Sequence, residues 1–370
     1  MKLEMAKTNG HRPRVVGTGL LAADVLLDFR KPKVGRLNAG GTCGNVLTIL
    51  GALGWTSRPV ARLGVDVAGK VIQRDMEAWG VELSLIVEAP SSRSPVYFHW
   101  LMGQESGPRV HRFSRECPEC GTVLPGFQPV PQAIVQTLVE DLGEVDVFFA
   151  DRVSRGAITL ARLCRDRGAM VVFEPSGGTD PQLFSEMLAL SHVVKYSNER
   201  GKKVVPLISV AEGLSCLVIE TMGSKGLRYQ VVEGRLARNG WRVLEPVVTD
   251  EVRDTAGAGD WCTAGFLHTI GQHGFGRFRE APREALEQSL MAGQHVAAWS
   301  CAFEGARGGM YVPEEHGGFK QTLLDGIGLR DSSKPNQLEL DSTCRATSDI
   351  CPACPPTDPH VGRLCHQGSE

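Results

Sequence analysis

The run Asp254-Thr255-Ala256-Gly257-Ala258-Gly259-Asp260 carries the residues best suited to chemistry. Two carboxylates bracket a stretch of small residues, and a helical pattern over 260–270 follows directly. Small side chains at 256–259 leave backbone amides uncovered where that helix begins. Unpaired N–H groups and the helix dipole together make a seat for phosphate oxygens. An Asp at the end of such a turn stands beside the bound phosphoryl group. It can take the proton of an attacking hydroxyl while the amides stabilise the charge growing on the transferring group. A plain N-cap accounts for one acidic residue, not for Ala and Gly held between two. The chemistry predicted is phosphoryl transfer to an alcohol, with Asp260 as base and Gly257, Ala258 and Gly259 as the anion hole.

Two other glycine motifs do not qualify. Gly17-Thr18-Gly19-Leu20-Leu21-Ala22 fits a dinucleotide fingerprint, yet no acidic residue lies about 20 positions on to hold a ribose. Gly64 to Val71 nearly matches a P-loop, but Val71 has no hydroxyl where magnesium needs one, and Asp66 would sit among the phosphate-binding amides. That stretch reads as a strand-to-helix turn.

Elements able to position the site alternate from about residue 14 to 310. Residues 14–17, 59–63, 145–150, 170–173 and 216–220 are short apolar runs, read as strands buried on both faces. Residues 45–53, 68–79, 157–167 and 181–190 show helical spacing, as do two longer stretches at 260–270 and 283–303. Such alternation predicts a mainly parallel sheet covered on both sides. Around 28–39 and 94–113 the pattern changes to apolar–polar alternation, which predicts a small β-structured lid exposed on one face. Phe98 and Trp100 within it could stack on a ligand or form the lid's core. Beyond about residue 330, Ser, Asp, Pro and Cys dominate, and such a segment builds no core without a staple.

Composition narrows the class. A chain of 370 residues with a formal charge of −2 offers no general attraction for nucleic acid or membrane, the short run Arg30, Lys31, Lys33 aside. No apolar run approaches the ~18 residues of a membrane helix, and the polar start lacks a signal-peptide core. A cytoplasmic protein is expected. Its eleven cysteines are then thiols or metal ligands rather than disulfides. Cys43, Cys164, Cys216, Cys262 and Cys301 lie among apolar or small residues, as small buried hydrophobes do.

The DTAGAGD run matches the signature of the ribokinase-like, or PfkB, carbohydrate kinases, which include many nucleoside kinases. The resemblance extends from about residue 14 to 313. It implies a three-layer α/β/α sandwich with a β-sheet lid, ATP as donor, Mg2+ as cofactor, and a small sugar or nucleoside as acceptor. By the same resemblance Asp24, Gly40, Gly41 and Asn45 position the acceptor. Asn198, Thr221, Gly223, Gly226 and Gly305 contact the nucleotide. Asp254 and Thr255 lie near a monovalent cation such as K+, and lids of this kind often pair between subunits, which implies a homodimer. Gly64-Val65-Asp66 with Gly69 resembles the family's Gly-x-Asp turn. The family has Asn-x-x-Glu where this chain reads Asn198-Glu199-Arg200-Gly201, so one magnesium-organising carboxylate is missing. Glu174, where relatives carry Asn or Asp, is expected to restore charge near the metal, unless ATP phosphates hold it or Glu199 shifts to serve. Loss of that carboxylate also suits an alternative, a degenerate kinase fold that binds a nucleotide or sugar and signals through its tail.

Six cysteines remain. Cys117-Pro118-Glu119-Cys120-Gly121 and Cys351-Pro352-Ala353-Cys354 are zinc-knuckle patterns. Together they make four tetrahedral ligands, a structural Zn2+ pinning the tail to the lid. A tail-only set of Cys344, Cys351, Cys354 and Cys365, with His366 nearby, is the alternative. Free thiols are the plainer reading. With only Lys334, Arg345 and Arg363 as basic residues, the tail should not bind nucleic acid. The organisation expected is a kinase domain over 1–330, its lid drawn from about 28–42 and 94–125, and a Cys-rich tail over 331–370.

Overall fold

The computed structural model describes residues 11–29, 34–102, 110–176, 180–210, 215–233, 236–237, 240–249, 252–312 and 344–354. Its backbone is a nine-stranded sheet containing β1 (Arg14–Thr18), β4 (Thr56–Pro59), β9 (Val147–Ala150), β10 (Met170–Phe173), β11 (Val193–Ser197) and β12 (Ser215–Thr221). These six run parallel in the order β4-β1-β9-β10-β11-β12. β13 (Leu227–Glu233), β14 (Leu236–Ala237) and β15 (Arg242–Leu244) close that end antiparallel. Side chains alternate across each strand. Val15, Val147, Phe149 and Val172 face one core, and Val16, Phe148, Ala150 and Val171 face the other. That is why these strands read as unbroken apolar runs.

The first core packs against α1 (Thr42–Ala52), α2 (Val67–Ala78), α7 (Ala258–Ile270), α8 (Gly274–Glu280) and α9 (Arg283–Ser300). The second packs against α3 (Gln132–Thr137), α4 (Arg155–Asp166), α5 (Pro181–Leu190) and α6 (Asn198–Val210). Side-chain caps start three of these helices: Asp66 for α2, Ser154 for α4 and Asp180 for α5. The sandwich is thus three layers, as expected.

The lid is a second sheet. It joins β2 (Ala22–Asp28), β3 (Val34–Gly40), β7 (Val96–Met102), β8 (Val110–Ser114) and β16 (Cys344–Ala346) in the order β16-β3-β2-β7-β8. Two boundaries differ from expectation. The lid starts at Ala22 rather than near residue 28, because the chain leaves β1 through a turn at Gly19 and runs straight into β2. A strand there, not a helix, also removes the dinucleotide reading of that turn. Residues 59–63 are not one strand: β4 ends at Pro59, and β5 (Ala61–Leu63) pairs with β6 (Ile86–Glu88) in a separate ribbon. Phe98 is fully buried in the core, so it is lid interior.

The tail is no separate unit where it is described. β16 pairs antiparallel with β3, α10 (Thr347–Ile350) contacts α2, and Ile350 and Cys351 join the first core. Arg30, Lys31, Lys33, Lys334, Arg363, Cys365 and His366 lie outside the described residues. Among the described residues no helix is long and apolar enough to cross a membrane.

Candidate active site

The parallel strands all deliver their C-terminal ends to one edge, where α/β sheets place ligands. Asp151 follows β9, Glu174 follows β10, Asn198 follows β11, and Thr221 ends β12 opposite Ser197. α7 begins over this edge. Its cap is Gly257 in the left-handed region (φ 75°), where an added Cβ would lie 2.4 Å from the Ala306 carbonyl oxygen. Only glycine fits that turn. No hydrogen-bond partner is found among the described residues for the backbone N–H groups of Gly257 and Gly259. Of the three amides expected from sequence, that of Ala258 donates to the Thr255 carbonyl at 3.3 Å.

Asp260 lies in the first turn of α7 and is 8% exposed. Asn45 of α1 donates to its Oδ2 at 2.7 Å. Burial pushes the Asp260 carboxyl up to about 7, with Glu174 and Asp151 adding to the rise and Asn45 and Lys195 opposing it. A carboxyl poised near neutrality suits a general base. Beneath it lies a pair that sequence reasoning had not assembled: Lys195 donates to Glu174 Oε1 at 2.8 Å and to the Gly259 carbonyl at 3.0 Å, and Thr263 donates to Glu174 Oε2 at 2.5 Å.

Asp24 stands on β2 across a cavity of about 20 Å3 lined also by Asn38, Ala39, His99, Gly305 and Arg307. Desolvation holds its carboxyl up at about 7 against the pull of Arg307. Gly40 makes room for it, since a Cβ there would lie 2.0 Å from Asp24 Oδ2. Gly41 (φ 81°) starts α1 against the Leu20 carbonyl, and an added Cβ would sit 2.3 Å from that oxygen. The four expected acceptor residues are thus together.

Arg307 is the principal residue missed from sequence. It is 3% exposed, donates to Asn45 Oδ1 at 3.1 Å and to Asp75 Oδ2 at 2.6 Å, and also bonds the Ala39 carbonyl. Asp75 of α2 further accepts from the Ala39 amide at 2.7 Å and from the Tyr311 hydroxyl at 3.0 Å. Arg307 Nη1 is buried and finds no hydrogen-bond partner among the described residues. One side chain so links Asn45, lid strand β3 and helix α2.

Asp254 is 1% exposed and organises the loop before α7. Its Oδ1 accepts from the Ala256 amide at 2.9 Å, and its Oδ2 from the Gly305 amide at 2.8 Å. Two lid imidazoles close on the same carboxylate: His111 Nδ1 at 3.1 Å from Oδ1 and His99 Nε2 at 3.5 Å from Oδ2. Burial lowers His99 to about 4, so that ring is neutral near pH 7, whereas the hydrogen bond to Asp254 raises His111. Thr255 is exposed beside this group.

Of the residues expected at the nucleotide, Gly223 (φ 60°) and Gly226 (φ 81°) bound the turn between β12 and β13, and a Cβ at Gly226 would meet the Leu244 carbonyl at 2.4 Å. Asn198 is exposed at the start of α6. At Gly201, where a carboxylate was missed, a neighbour comes close. Glu220 Oε1 of β12 lies 3.6 Å from where a Gly201 Cβ would stand, and Arg228 holds Glu220 Oε2 at 2.5 Å. Nothing in the one-dimensional sequence relates these two positions. Asp66 proves a plain cap, accepting from Gly69 at 2.8 Å and from Ser94 at 2.9 Å.

With this geometry in place, the comparisons with known proteins fall into line. The model of the pfkB family carbohydrate kinases matches residues 30–313. The chain belongs to that family. A fructokinase of Vibrio alginolyticus is 24% identical over 259 residues, 63% of this chain and 77% of the relative. Among solved structures, fructokinase of Xylella fastidiosa with bound ATP superposes with a TM-score of 0.59 at 18% identity, covering 79% of this chain and 93% of that one. Aminoimidazole riboside kinase of Salmonella enterica, complexed with its riboside and an ATP analogue, gives the same score and identity over 79% and 95%. The ribokinase-like fold is established by these likenesses, which at such identity speak for the fold alone.

Proposed function

We propose that this family member transfers the γ-phosphoryl group of ATP to a hydroxymethyl group of a neutral sugar or nucleoside. The observation that carries this is Asp260, buried, held by Asn45, and set in the first turn of a helix whose Gly257 and Gly259 amides have no partner among the described residues. The Asp260 carboxylate takes the acceptor's proton as the new O–P bond forms and the bond to the β-phosphate's bridging oxygen breaks, leaving ADP. Amides of Gly257, Ala258 and Gly259 hold the group in flight. Asp24, Gly40, Gly41 and Asn45 position the acceptor, while Asn198, Thr221, Gly223 and Gly226 serve the donor; Gly305, expected at the nucleotide, lines the Asp24 cavity instead. Around the acceptor, one guanidinium, Arg307, faces the carboxylates of Asp24 and Asp75, and Lys195 is the cation nearest in effect to Asp260. This balance favours a neutral polyol over a sugar acid.

Magnesium, when bound, neutralises phosphate charge. The hard oxygens nearest in kind are Glu220 Oε1, 3.6 Å from where a Gly201 Cβ would stand, and Glu174, whose two oxygens already serve Lys195 and Thr263. These fit a metal held mostly by ATP and water. A potassium ion fits less well at Asp254 and Thr255, since two amides and two imidazoles already surround that carboxylate. The His111 ring occupies that side of the carboxylate, and turnover should be equal with potassium or a bulky organic cation as the only monovalent ion.

The test is ATP turnover across a panel of sugars and nucleosides, with Asp260→Asn as the control. Loss of the base should cut kcat by about 10²–10⁴-fold with ATP affinity kept. An Asp260→Asn enzyme within tenfold of the parent would overturn the assignment, and ATP binding without turnover on any acceptor would favour the regulatory reading.

A further inference from the structure

The sulfurs of Cys117, Cys120, Cys351 and Cys354 all lie within 4.8 Å of one another, although the two pairs are more than 230 positions apart in the chain. Cys117 and Cys354 sulfurs are 3.7 Å apart, and those of Cys120 and Cys351 are 3.6 Å apart. A tetrahedral zinc with Zn–S bonds of ~2.3 Å requires sulfur–sulfur edges of about 3.8 Å. We infer that these four thiolates bind one structural zinc ion that clasps the C-terminal segment to the lid.

The backbone around the cluster has the form a metal knuckle needs. The Cys117 amide donates to the Thr122 carbonyl at 2.9 Å, and the Gly121 amide donates to the Cys117 carbonyl at 2.9 Å. Gly121 adopts φ 72°, and Glu116 bridges Val123 to close the hairpin. On the other side, the Cys354 amide donates to the Cys351 carbonyl at 3.2 Å, which makes the matching turn. Four soft ligands in a closed, fourfold set describe a structural site, without the open position a catalytic one keeps.

The clasp has a definite task in this fold. Few residues of the C-terminal segment are apolar, yet β16 adds to the lid at β3, and Ile350 and Cys351 enter the core beside α2. Ten or so residues cannot offset the entropy of ordering with so little apolar area of their own. One zinc supplies the missing free energy, because binding to a site assembled only in the folded state stabilises that state. The tail-only alternative requires Cys365, which lies outside the described residues; the alternative predicts that Cys117 and Cys120 are dispensable.

The full-length protein, isolated under reducing conditions, should contain one zinc per chain by elemental analysis. Exchange with Co2+ should give the sulfur-to-cobalt charge-transfer bands and visible d–d bands of a tetrahedral S4 site. Both signals should be lost, with metal content down at least tenfold, in Cys117→Ser/Cys120→Ser and in Cys351→Ser/Cys354→Ser. A metal-free wild-type protein that takes up no Co2+ overturns the proposal, even if the variants fail to fold. Two disulfides found by non-reducing peptide mapping overturn it as well. Zinc kept in Cys117→Ser/Cys120→Ser overturns the clasp in favour of a tail-only site. None of these readouts depends on kinase activity. A consequence that does rest on the kinase reading is a rise in the acceptor's KM, with that of ATP unchanged, in zinc-stripped protein assayed with Mg2+ restored, because β3 carries Asn38 and Ala39 into the acceptor pocket.

Discussion

Asn45→Ala offers the sharpest test of how the base is tuned. In the intact enzyme burial raises the Asp260 carboxyl to about 7, while the Asn45 hydrogen bond at 2.7 Å pulls it down. Glu174 and Asp151 push upward with burial, and Lys195 pulls downward with Asn45. The base works only when ionised, so kcat/KM is full above this value and is lost as pH falls through it. A hydrogen bond to a charged group is worth about 1.5–3 kcal/mol, and one pKa unit is about 1.4 kcal/mol. Removing Asn45 should therefore move the acidic limb up by about one to two units, to about 8–9. At pH 7 the ionised fraction falls from about one half to about one tenth or one hundredth, a 5- to 50-fold loss in kcat/KM. Raising the pH should recover much of that loss. The assay is the pH profile of kcat/KM, which reports the free enzyme. A uniform loss at every pH, with the limb unmoved, would refute the tuning role and leave Asn45 as a contact to the acceptor alone.

Three further outcomes follow from the geometry. Gly40→Ala drives a methyl against Asp24 Oδ2, 2.0 Å from its present position; overpacking of about 1–3 kcal/mol should fall mainly on the acceptor's KM, raising it about 5- to 150-fold in steady-state kinetics. Lys195→Met strands the Glu174 carboxylate, 5% exposed, and should cost about 3–5 kcal/mol in urea denaturation; pairing it with Glu174→Gln should recover part of that loss. Glu220→Gln should raise the Mg2+ concentration for half-maximal turnover, whereas Glu174→Gln should change stability more than Mg2+ dependence. The opposite ranking would return the metal to Glu174.

Elements buried on both faces were legible because nothing on them needs to be polar. Runs such as Val147–Ala150 and Met170–Phe173 announce themselves by composition. The Asp260 helix start was legible too, since a glycine cap and a bare first turn leave a local mark on the chain. β2 was missed because the Gly19 turn looks the same whether a helix or a strand follows. Residues 59–63 looked continuous because Val60, between two strands of different sheets, is as buried as its neighbours. Arg307, Asp75, His99 and His111 could not be read at all. Each acquires its meaning from a partner far off in sequence, and an isolated Arg or His near a glycine resembles any surface residue. The cysteine pairs show the reverse: their spacing named the chemistry, and the fold supplied the juxtaposition.

β16 covers Val34–Arg36 of the lid. An open strand edge is a template on which another chain can grow, so the C-terminal segment acts as a built-in guard rail for that flank. A second copy seeking to zip its lid onto this one would find the first half of β3 already taken, and must dock through β8 or through a face. If the rail is lifted, by proteolysis or by oxidation of its thiols, the molecule acquires a sticky border and should self-associate as concentration rises.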